Sequence, residues 1–410
     1  MKGHFFINFM IITTILCILT GLLWDYAART GHRRLLLFAD LVLSILSAVG
    51  LAHYEEIFPS LAASGWDGLY DWKAMAGLIW LLAAILAFPC LLLVDAFSLP
   101  FRTRRRRRRR RRRRGGVSRR TFLKGAAALL PAAALATSGA GNLLGERDLD
   151  TTYHLLKYKN LPDYLDGYKI GQLSDLHMGL FFSPRRLQEA IDAVAAQGVN
   201  RLEITGDLID ELSLLPQAQA IIAANADRFP DGIDFCYGNH EYYRDFDAIT
   251  AMLEKTPVRI LRNSSFRASR GCGQGLQGCR GRDGRSFYIV AADYSFARGD
   301  SAFAAEREEY VQKALDGVPE DAFVVMLAHH SAFIDEGFKH HIPLTLCGHT
   351  HGAQFAPIGP LVTALGFKYL RGMFQHGEYR GYVNRGTGHW LPFRVLCSRE
   401  ASVFELRKQA

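Results

Sequence analysis

The sequence is poor in cysteine, and outside one short segment it has no excess of basic residues. Seven cysteines in 410 residues are too few for a disulfide-dense scaffold. Fifteen of the 49 lysines and arginines lie in residues 102–124, which contain no acidic residue. Without them, 34 basic residues stand against 40 acidic ones, a balance of −6, so the net charge of +9 reflects one local segment. A broad basic face of the kind that binds nucleic acid is therefore not expected.

Charged residues are almost absent from three long stretches within the first hundred residues. These stretches are residues 5–24, 35–54 and 74–97, interrupted only by Asp40 and Asp95. An apolar stretch of about 20 residues is long enough to cross a bilayer as a helix. The sequence therefore predicts an all-α region of three transmembrane helices over residues 1–100.

The charges of the connecting segments predict the orientation of these helices. The first connection is basic, the second is acidic, and the third helix is followed by eleven consecutive arginines at 104–114. Because basic loops stay in the cytoplasm, the first connection and the arginines should lie inside, and the acidic loop outside. The arginines are expected to contact anionic lipid headgroups of the membrane.

An export signal follows the arginines. Residues 118–124, SRRTFLK, resemble the twin-arginine motif, and an alanine-rich apolar segment continues from 125 to 141. This segment is either a retained fourth membrane helix or a signal that is cleaved near Ser138. In both cases the twin-arginine export machinery would be a partner, and the chain after about residue 145 would lie outside the cytoplasm.

The pattern changes to that of an α/β domain over residues 146–410, after a linker and signal region at 101–145. Apolar runs of strand length alternate with helix-like segments. The predicted strands are residues 168–174, 201–205, 233–237, 264–269, 286–292, 322–328, 342–347, 381–385, 393–397 and 403–406. The predicted helices are residues 184–197, 214–228, 246–254 and 302–315.

Polar side chains that bind metals follow five of these predicted strands. They are Asp175, His177, Asp207, Asn239, His329, His349 and His351. Open α/β sheets place their sites at the carboxyl ends of strands, so these residues should meet. One metal ion uses fewer than seven ligands, whereas two ions that share Asp207 would each have about four. Such a pair, with a bridging hydroxide, remains net positive and suits a phosphate group.

The ordered motifs D-x-H, G-D, G-N-H-E, H and G-H-x-H resemble the calcineurin-like metallophosphoesterase family over about residues 165–408. Gly386-Thr387-Gly388 and Arg394 resemble a membrane-associated bacterial subgroup of that family. The resemblance implies a four-layer α/β/β/α sandwich. It implies that one metal is held by Asp175, His177, Asp207 and His351, and the other by Asp207, Asn239, His329 and His349. It also implies that His240 is a catalytic histidine that binds neither metal.

Two positions depart from the subgroup pattern. Ser331 stands where the subgroup has proline, which leaves either His329 or its neighbour His330 as the ligand of the third motif. Arg399-Glu400 stands where the subgroup has Pro-Glu. Glu241, Tyr242 and Tyr243 are expected to line the substrate cleft, and Cys272 and Cys279 form either a disulfide or two free thiols.

These features predict a membrane-anchored, metal-dependent phosphoesterase that hydrolyses a phosphodiester, a phosphomonoester or a pyrophosphate. Its cofactors would be two divalent ions of manganese, iron or zinc. Its location would be a bacterial inner membrane, with several spans and with the catalytic domain in the periplasm or outside the cell. The substrate would be an envelope phosphoester, such as a lipid-linked one. Two alternatives are a nuclease of the same fold and a non-enzymatic membrane scaffold with a metal-binding domain.

Overall fold

The computed structural model divides the chain into two compact units, residues 1–144 and 145–410. It describes residues 149–179, 182–268, 286–364, 366–389 and 393–409, together with scattered helical residues between 15 and 141. The predicted spans at 5–24, 35–54 and 74–97 lie largely outside the described residues. The arginine segment, the twin-arginine motif, Cys272 and Cys279 lie wholly outside them.

In the first unit, the described residues 129–130 and 132–141 are helical. Ser138 is fully buried there, and its hydroxyl donates a hydrogen bond to the carbonyl of Ile79 at 2.8 Å. Of the helices that can be described, none is both long enough and apolar enough to cross a membrane.

The second unit contains two six-stranded sheets. The first sheet has the order β1-β12-β2-β3-β4-β5 and the second the order β10-β11-β9-β8-β7-β6. The strands of the first are β1 (Leu149–Tyr158), β2 (Tyr168–Leu173), β3 (Arg201–Thr205), β4 (Ile233–Cys236), β5 (Val258–Leu261) and β12 (Arg399–Lys408). Those of the second are β6 (Ser264–Ala268), β7 (Phe287–Ala292), β8 (Phe323–Ala328), β9 (Leu344–Cys347), β10 (Gly372–His376) and β11 (Tyr379–Val383).

The direction of the strands places several carboxyl ends at one edge of each sheet. Strands β2 to β5 are parallel, and β12 runs antiparallel to β2 with Ser402 opposite Gln172. In the second sheet β7, β8, β9 and β11 are parallel. The loops that follow β2, β3 and β4 therefore share one edge, and those that follow β8 and β9 share another.

The helices are α1 (Pro184–Ala195), α2 (Leu215–Asn225), α3 (Asn239–Tyr243), α4 (Phe246–Leu253), α5 (Asp300–Leu315), α6 (Ile334–Lys339) and α7 (Gly359–Ala364). Helix α1 shows why they form: Leu187, Ala190, Ile191 and Val194 are buried at helical spacing, and Pro184 occupies the first helical position. One apolar cluster joins α1, α2 and α4 to the first sheet, a second joins the two sheets, and a third joins the second sheet to α5 and α6. The predicted α/β class is confirmed, and the three clusters separate four layers.

One predicted strand is wrong. Residues 393–397 make only an isolated bridge between Val395 and Phe355, and Leu396 adopts a left-handed backbone. The buried side chain of Arg394 occupies this segment and bonds to backbone carbonyls, so the residues pack as a loop. Strands β1, β5 and β10 were not predicted.

Candidate metal centre and active site

The seven predicted ligands lie at the carboxyl ends of β2, β3, β4, β8 and β9, where the two sheets meet. Six of them form two clusters, in which the ligand atoms lie within 4.8 Å of one another. Asn239 is the first residue of α3 and adjoins the clusters through its neighbour His240, whose backbone N–H donates to Asp207 Oδ1 at 2.8 Å. The structure therefore brings six of the seven predicted ligands together and places Asn239 next to a residue that bonds to one of them.

The first cluster contains Asp175, His177 and His351. The Nε2 atoms of the two histidines are 3.1 Å apart, and His351 Nε2 is 3.4 Å from Asp175 Oδ1. Two nitrogen or oxygen ligands that share an ion at about 2.1 Å are separated by roughly 3.0–3.4 Å. The spacing is therefore that of side chains directed at one metal.

The second cluster contains Asp207, His329 and His349. His329 Nε2 is 3.1 Å from Asp207 Oδ2 and 3.2 Å from His349 Nδ1. The same Asp207 Oδ2 lies 3.5 Å from Nε2 of His177 in the first cluster. Asp207 is thus within reach of both clusters, as a shared ligand must be.

The hydrogen bonds of the histidines show that metal ions fit these clusters. His329 Nδ1 is 2.8 Å from the carbonyl of Thr205, and His177 Nδ1 is 3.2 Å from Asp210 Oδ2. Both acceptors fix the proton of a neutral imidazole on Nδ1, so the Nε2 lone pairs are directed into the clusters. The buried Oδ1 of Asn239 also has no hydrogen-bond partner among the described residues. A cation in each cluster would satisfy the electron pairs directed into it.

The backbone holds these ligands in an unusual conformation. Five of the seven lie in the left-handed region, with φ between 48° and 73°: Asp175, His177, Asp207, His349 and His351. Such strain persists only where the surrounding structure imposes it, and it concentrates at functional sites. Gly206 shows how tightly the loops approach, because a Cβ there would lie 2.6 Å from the backbone nitrogen of Gly238 and 2.7 Å from His329 Nδ1.

The charges of the site divide its histidines into two kinds. Burial lowers the pKa of His177, but the carboxylates of Asp210, Asp207 and Asp175 outweigh it and raise that pKa to about 9. Burial also lowers the pKa of His329, but the carboxylates of Asp207 and Asp175 outweigh burial and raise that pKa to about 10. Burial and the neighbouring imidazoles hold the pKa values of His349 and His351 well below the usual value. Without metal, the protons are therefore held by the histidines that face the carboxylates.

Sequence reasoning missed Asp210, which contacts both a predicted ligand and the predicted catalytic histidine. One carboxylate oxygen is 3.2 Å from His177 Nδ1, and the other is 2.6 Å from His240 Nδ1. Burial raises the pKa of Asp210, but the two imidazoles outweigh burial and hold it well below its usual range. The one available signal was its position three residues after Asp207, in the same loop.

The expectation that Glu241 lines the cleft is wrong. Its side chain is fully buried and accepts hydrogen bonds from the backbone nitrogens of Asp207, Leu208 and Gly238. It therefore holds the loops after β3 and β4 against each other. Tyr242 donates to the carboxylate of Asp293, whereas Tyr243 is half exposed, with its ring 5.7 Å from that of His240.

One question that the sequence left open has a structural answer. Of the two adjacent histidines, His329 lies in the second cluster, whereas His330 Nδ1 accepts a hydrogen bond from the backbone of Ala332.

The buried guanidinium of Arg394 donates to the carbonyls of Arg385, Gly386 and Gly388. The backbone N–H of Gly388 in turn donates a hydrogen bond to the carbonyl of Asp175. Arg394 therefore holds the loop that supports the backbone of a first-cluster ligand.

Comparisons with known proteins agree with this site. The family model of calcineurin-like phosphoesterases matches residues 168–353. The uncharacterized metallophosphoesterase YkuE of Bacillus subtilis is 30% identical over 298 residues, which cover 70% of this chain and 96% of that protein. An uncharacterized metallophosphoesterase of Helicobacter pylori is 29% identical over 257 residues, covering 61% of this chain and 64% of that protein. A Danio rerio protein named as a transmembrane protein with metallophosphoesterase domain is 26% identical over 265 residues, covering 61% and 55%. The chain thus spans nearly all of the first relative and less than two thirds of the other two.

Proposed function

Because this chain belongs to the calcineurin-like phosphoesterase family and is a phosphoester hydrolase, we propose that it works as a membrane-anchored enzyme with two divalent metal ions. The observation that carries the proposal is the position of Asp207 between two clusters of ligand atoms. One ion would be held by Asp175, His177, Asp207 and His351, and the other by Asp207, Asn239, His329 and His349. When bound, two such ions supply a nucleophile derived from water and neutralise charge on the phosphoryl group.

The chain itself supplies a proton donor in the proposed reaction. Asp210 holds Nδ1 of His240, so a proton that His240 passes to the substrate is carried by Nε2. The departing oxygen of a phosphoester needs this proton when its conjugate acid is weak. His240 is 4.4 Å from His177 between ring centroids, which places it beside the first cluster.

The proposed anchor is the predicted helical region before residue 145, in a bacterial inner membrane with several spans. The alternation of basic and acidic connections and the twin-arginine motif support a catalytic unit in the periplasm or outside the cell. The buried Ser138 and its bond to Ile79 support a retained helix over a cleaved signal, because a processed site must be accessible. The Danio rerio relative is named as a transmembrane protein, and that name is consistent with a membrane anchor in this chain.

The proposed substrate is a phosphoester or pyrophosphate of the cell envelope, carried on a lipid or a nucleotide sugar. The anchor supports this class, because it confines the site to the membrane surface. Manganese, iron and zinc all suit a ligand set of histidine, aspartate and asparagine. A chain that folds before export would take its metals in the cytosol, which favours manganese or iron; zinc alone in protein from its native membrane would contradict that choice.

The test uses the full chain, purified in detergent from its native membrane. Bound metals are measured by mass spectrometry, and hydrolysis of phosphomonoesters, phosphodiesters and pyrophosphates is compared. We expect about two divalent ions per chain and turnover of one class. A reporter that is active only outside the cytoplasm, fused after Ala410, tests the orientation. A metal-loaded chain that hydrolyses none of the three classes would favour the scaffold alternative, and a reporter active only in its cytoplasmic form would reverse the topology.

A further inference from the structure

Four consecutive residues of the short helix α3 serve four different contacts. The first two are Asn239, a predicted metal ligand, and His240, the predicted proton donor. Successive side chains of a helix point about 100° apart, so the next two residues leave the helix in other directions. Glu241 accepts from the backbone of the loop after β3, in the first sheet, and Tyr242 donates to Asp293, which follows β7 of the second sheet. The helix is therefore held between the two sheets by one side chain toward each.

Asp293 is the acceptor on the side of the second sheet. Its side chain is buried, and each of its carboxylate oxygens is 2.7 Å from the hydroxyl of Tyr242. The same carboxylate accepts from Arg262 Nε at 2.6 Å and from the backbone nitrogen of Tyr294 at 2.8 Å. The backbone nitrogen of Asp293 donates to the side chain of Asn263. These other bonds fix the carboxylate in the orientation that meets Tyr242.

The partners of Asp293 lie where the chain passes from one sheet to the other. Arg262 and Asn263 connect β5, at the edge of the first sheet, to β6, at the edge of the second. Asp293 itself directly follows β7, which pairs with β6. The bond from Tyr242 therefore ties α3 to strands of both sheets.

The ring of Tyr242 is packed independently of its hydroxyl. It stacks on Phe246 of α4 with the ring centroids 4.8 Å apart, and it lies 6.1 Å from the ring of Tyr237 and 5.3 Å from that of Phe296. A phenylalanine ring would keep these contacts. The hydroxyl of Tyr242 can therefore be removed without emptying the space that the ring fills.

We propose that Asp293 is a positioning residue that acts through Tyr242. By fixing the direction of α3, it places Asn239 at the second cluster and His240 at the departing oxygen of the substrate. Helix α3 has only five residues, and so short a helix is not stable by its own hydrogen bonds, so its direction depends on such ties. This inference rests on the proposed function, in which Asn239 holds a metal ion and His240 donates a proton.

Tyr242→Phe in the full chain tests this role, with Tyr369→Phe as the matched control. Tyr369 also donates to a carboxylate at 2.7 Å, that of Asp335, which likewise accepts from a cation, Lys368. Asp335 lies on α6, which carries none of the predicted ligands. Each protein is purified in detergent and stripped of metal. Its binding of Mn²⁺ is measured by competition with a fluorescent chelator, and its melting temperature is recorded.

The affinities for the two ions should respond differently. Asn239 belongs to only one of the two predicted ligand sets, so Tyr242→Phe should weaken one Mn²⁺ ion about tenfold and leave the other nearly unchanged, since a hydrogen bond to a charged group changes an equilibrium by about that factor. Tyr369→Phe should change neither affinity, although it removes the same kind of bond. Asp293→Ala should weaken the same ion as Tyr242→Phe, and the two losses should not add in the double variant, because both changes remove one bond.

Turnover at saturating Mn²⁺ tests the placement of His240. Phenolate leaves poorly without a proton, whereas p-nitrophenolate does not need one. Tyr242→Phe should therefore lower the turnover of phenyl phosphate about tenfold and that of p-nitrophenyl phosphate by less. A loss of folded protein alone would lower both equally. His240→Asn, measured on the same two esters, shows whether His240 is the donor.

The outcomes distinguish this inference from the function on which it rests. If Tyr242→Phe kept both Mn²⁺ affinities, lowered them equally, or matched the losses of Tyr369→Phe, the positioning role of Asp293 would be overturned. If Tyr242→Phe lowered the turnover of both esters equally while His240→Asn did not, the placement of His240 would be overturned. A wild-type chain that binds fewer than two Mn²⁺ ions, or an equal loss on both esters in His240→Asn, would contradict the proposed function and remove the inference with it.

Discussion

Replacing Asp210 with asparagine tests whether one carboxylate supports both metal binding and proton transfer. Asparagine keeps the shape, but it loses the negative charge and one of the two oxygen acceptors that serve His177 and His240. Loss of a carboxylate that orients a metal-binding histidine lowers metal affinity about 10- to 100-fold. Loss of a positioned proton donor lowers turnover by about 10²- to 10⁴-fold. The bond to His240 is the shorter one, 2.6 Å against 3.2 Å, so the larger effect is expected on turnover.

The assay separates the two effects by metal saturation. Metal affinity of D210N is measured by competition with a chelator, and turnover is then measured at a metal concentration that fills both sites. Asp245→Asn is the matched control, because its carboxylate accepts from Ala248 N at the start of α4 and asparagine caps a helix equally well. In the double variant with His240→Asn, the turnover losses should not add, since both changes remove the same donor. If D210N kept the wild-type metal affinity and turnover, both proposed roles of Asp210 would be refuted. If excess metal restored the turnover of D210N fully, the role of Asp210 in positioning His240 would be refuted.

Three further predictions follow from the site. His240→Asn should keep its metals and melting temperature but lose about 10²–10⁴-fold in turnover, less on p-nitrophenyl esters because their leaving group needs no proton; loss of metal, or an equal loss on good and poor leaving groups, would contradict this. Asp207→Asn should lower metal content and melting temperature together, because metal-binding energy is also folding energy; a variant that keeps both metals would exclude the shared-ligand role. At pH 8 the histidines of the metal-free protein should release about two protons on binding metal, since the pKa values of His177 and His329 are raised to about 9 and 10 and both must become neutral. The water that forms the bridging hydroxide should release one more. The number of protons released by the two histidines should fall as the pH rises from 8 through their pKa values. Calorimetry in two buffers of different ionisation enthalpy measures the proton release, and a release that does not change with pH would contradict the prediction.

Much of the catalytic fold could be predicted from the sequence because its buried strands are continuous apolar runs. The strand predicted at 322–328 is observed at Phe323–Ala328, an uninterrupted apolar run in which every residue is buried. Strand β1 was missed because it pairs on one side only and carries exposed polar residues such as Thr151. The segment 393–397 looked like a strand because its apolar residues resemble one, but the buried Arg394 needs carbonyl acceptors that a regular strand would have used.

The candidate site could be predicted as far as its residues follow strands. Parallel strands of one sheet bring their carboxyl ends together, so the residues after β2, β3 and β4 had to meet at one edge and those after β8 and β9 at another. That the two edges form one site followed only from the resemblance to a known family. Asp210 and Glu241 could not be assigned in this way, because their partners depend on how the loops fold back. Asp210 contacts His177 and His240 from two other loops, and Glu241 bonds to the backbone around Asp207. Roles that depend on side-chain direction, and not on strand order, were the ones that the sequence left undetermined.

The left-handed backbone at five ligand positions has a consequence for how this site can be inherited or transplanted. At these positions the direction of each ligand is set by its turn, so grafting the seven side chains onto another scaffold would not recreate the geometry. Substitutions by β-branched residues are excluded by the backbone before coordination chemistry is considered, whereas asparagine and glycine remain sterically accessible. To transfer the site, one would have to copy the short turns that carry the ligands together with the strands that orient these turns.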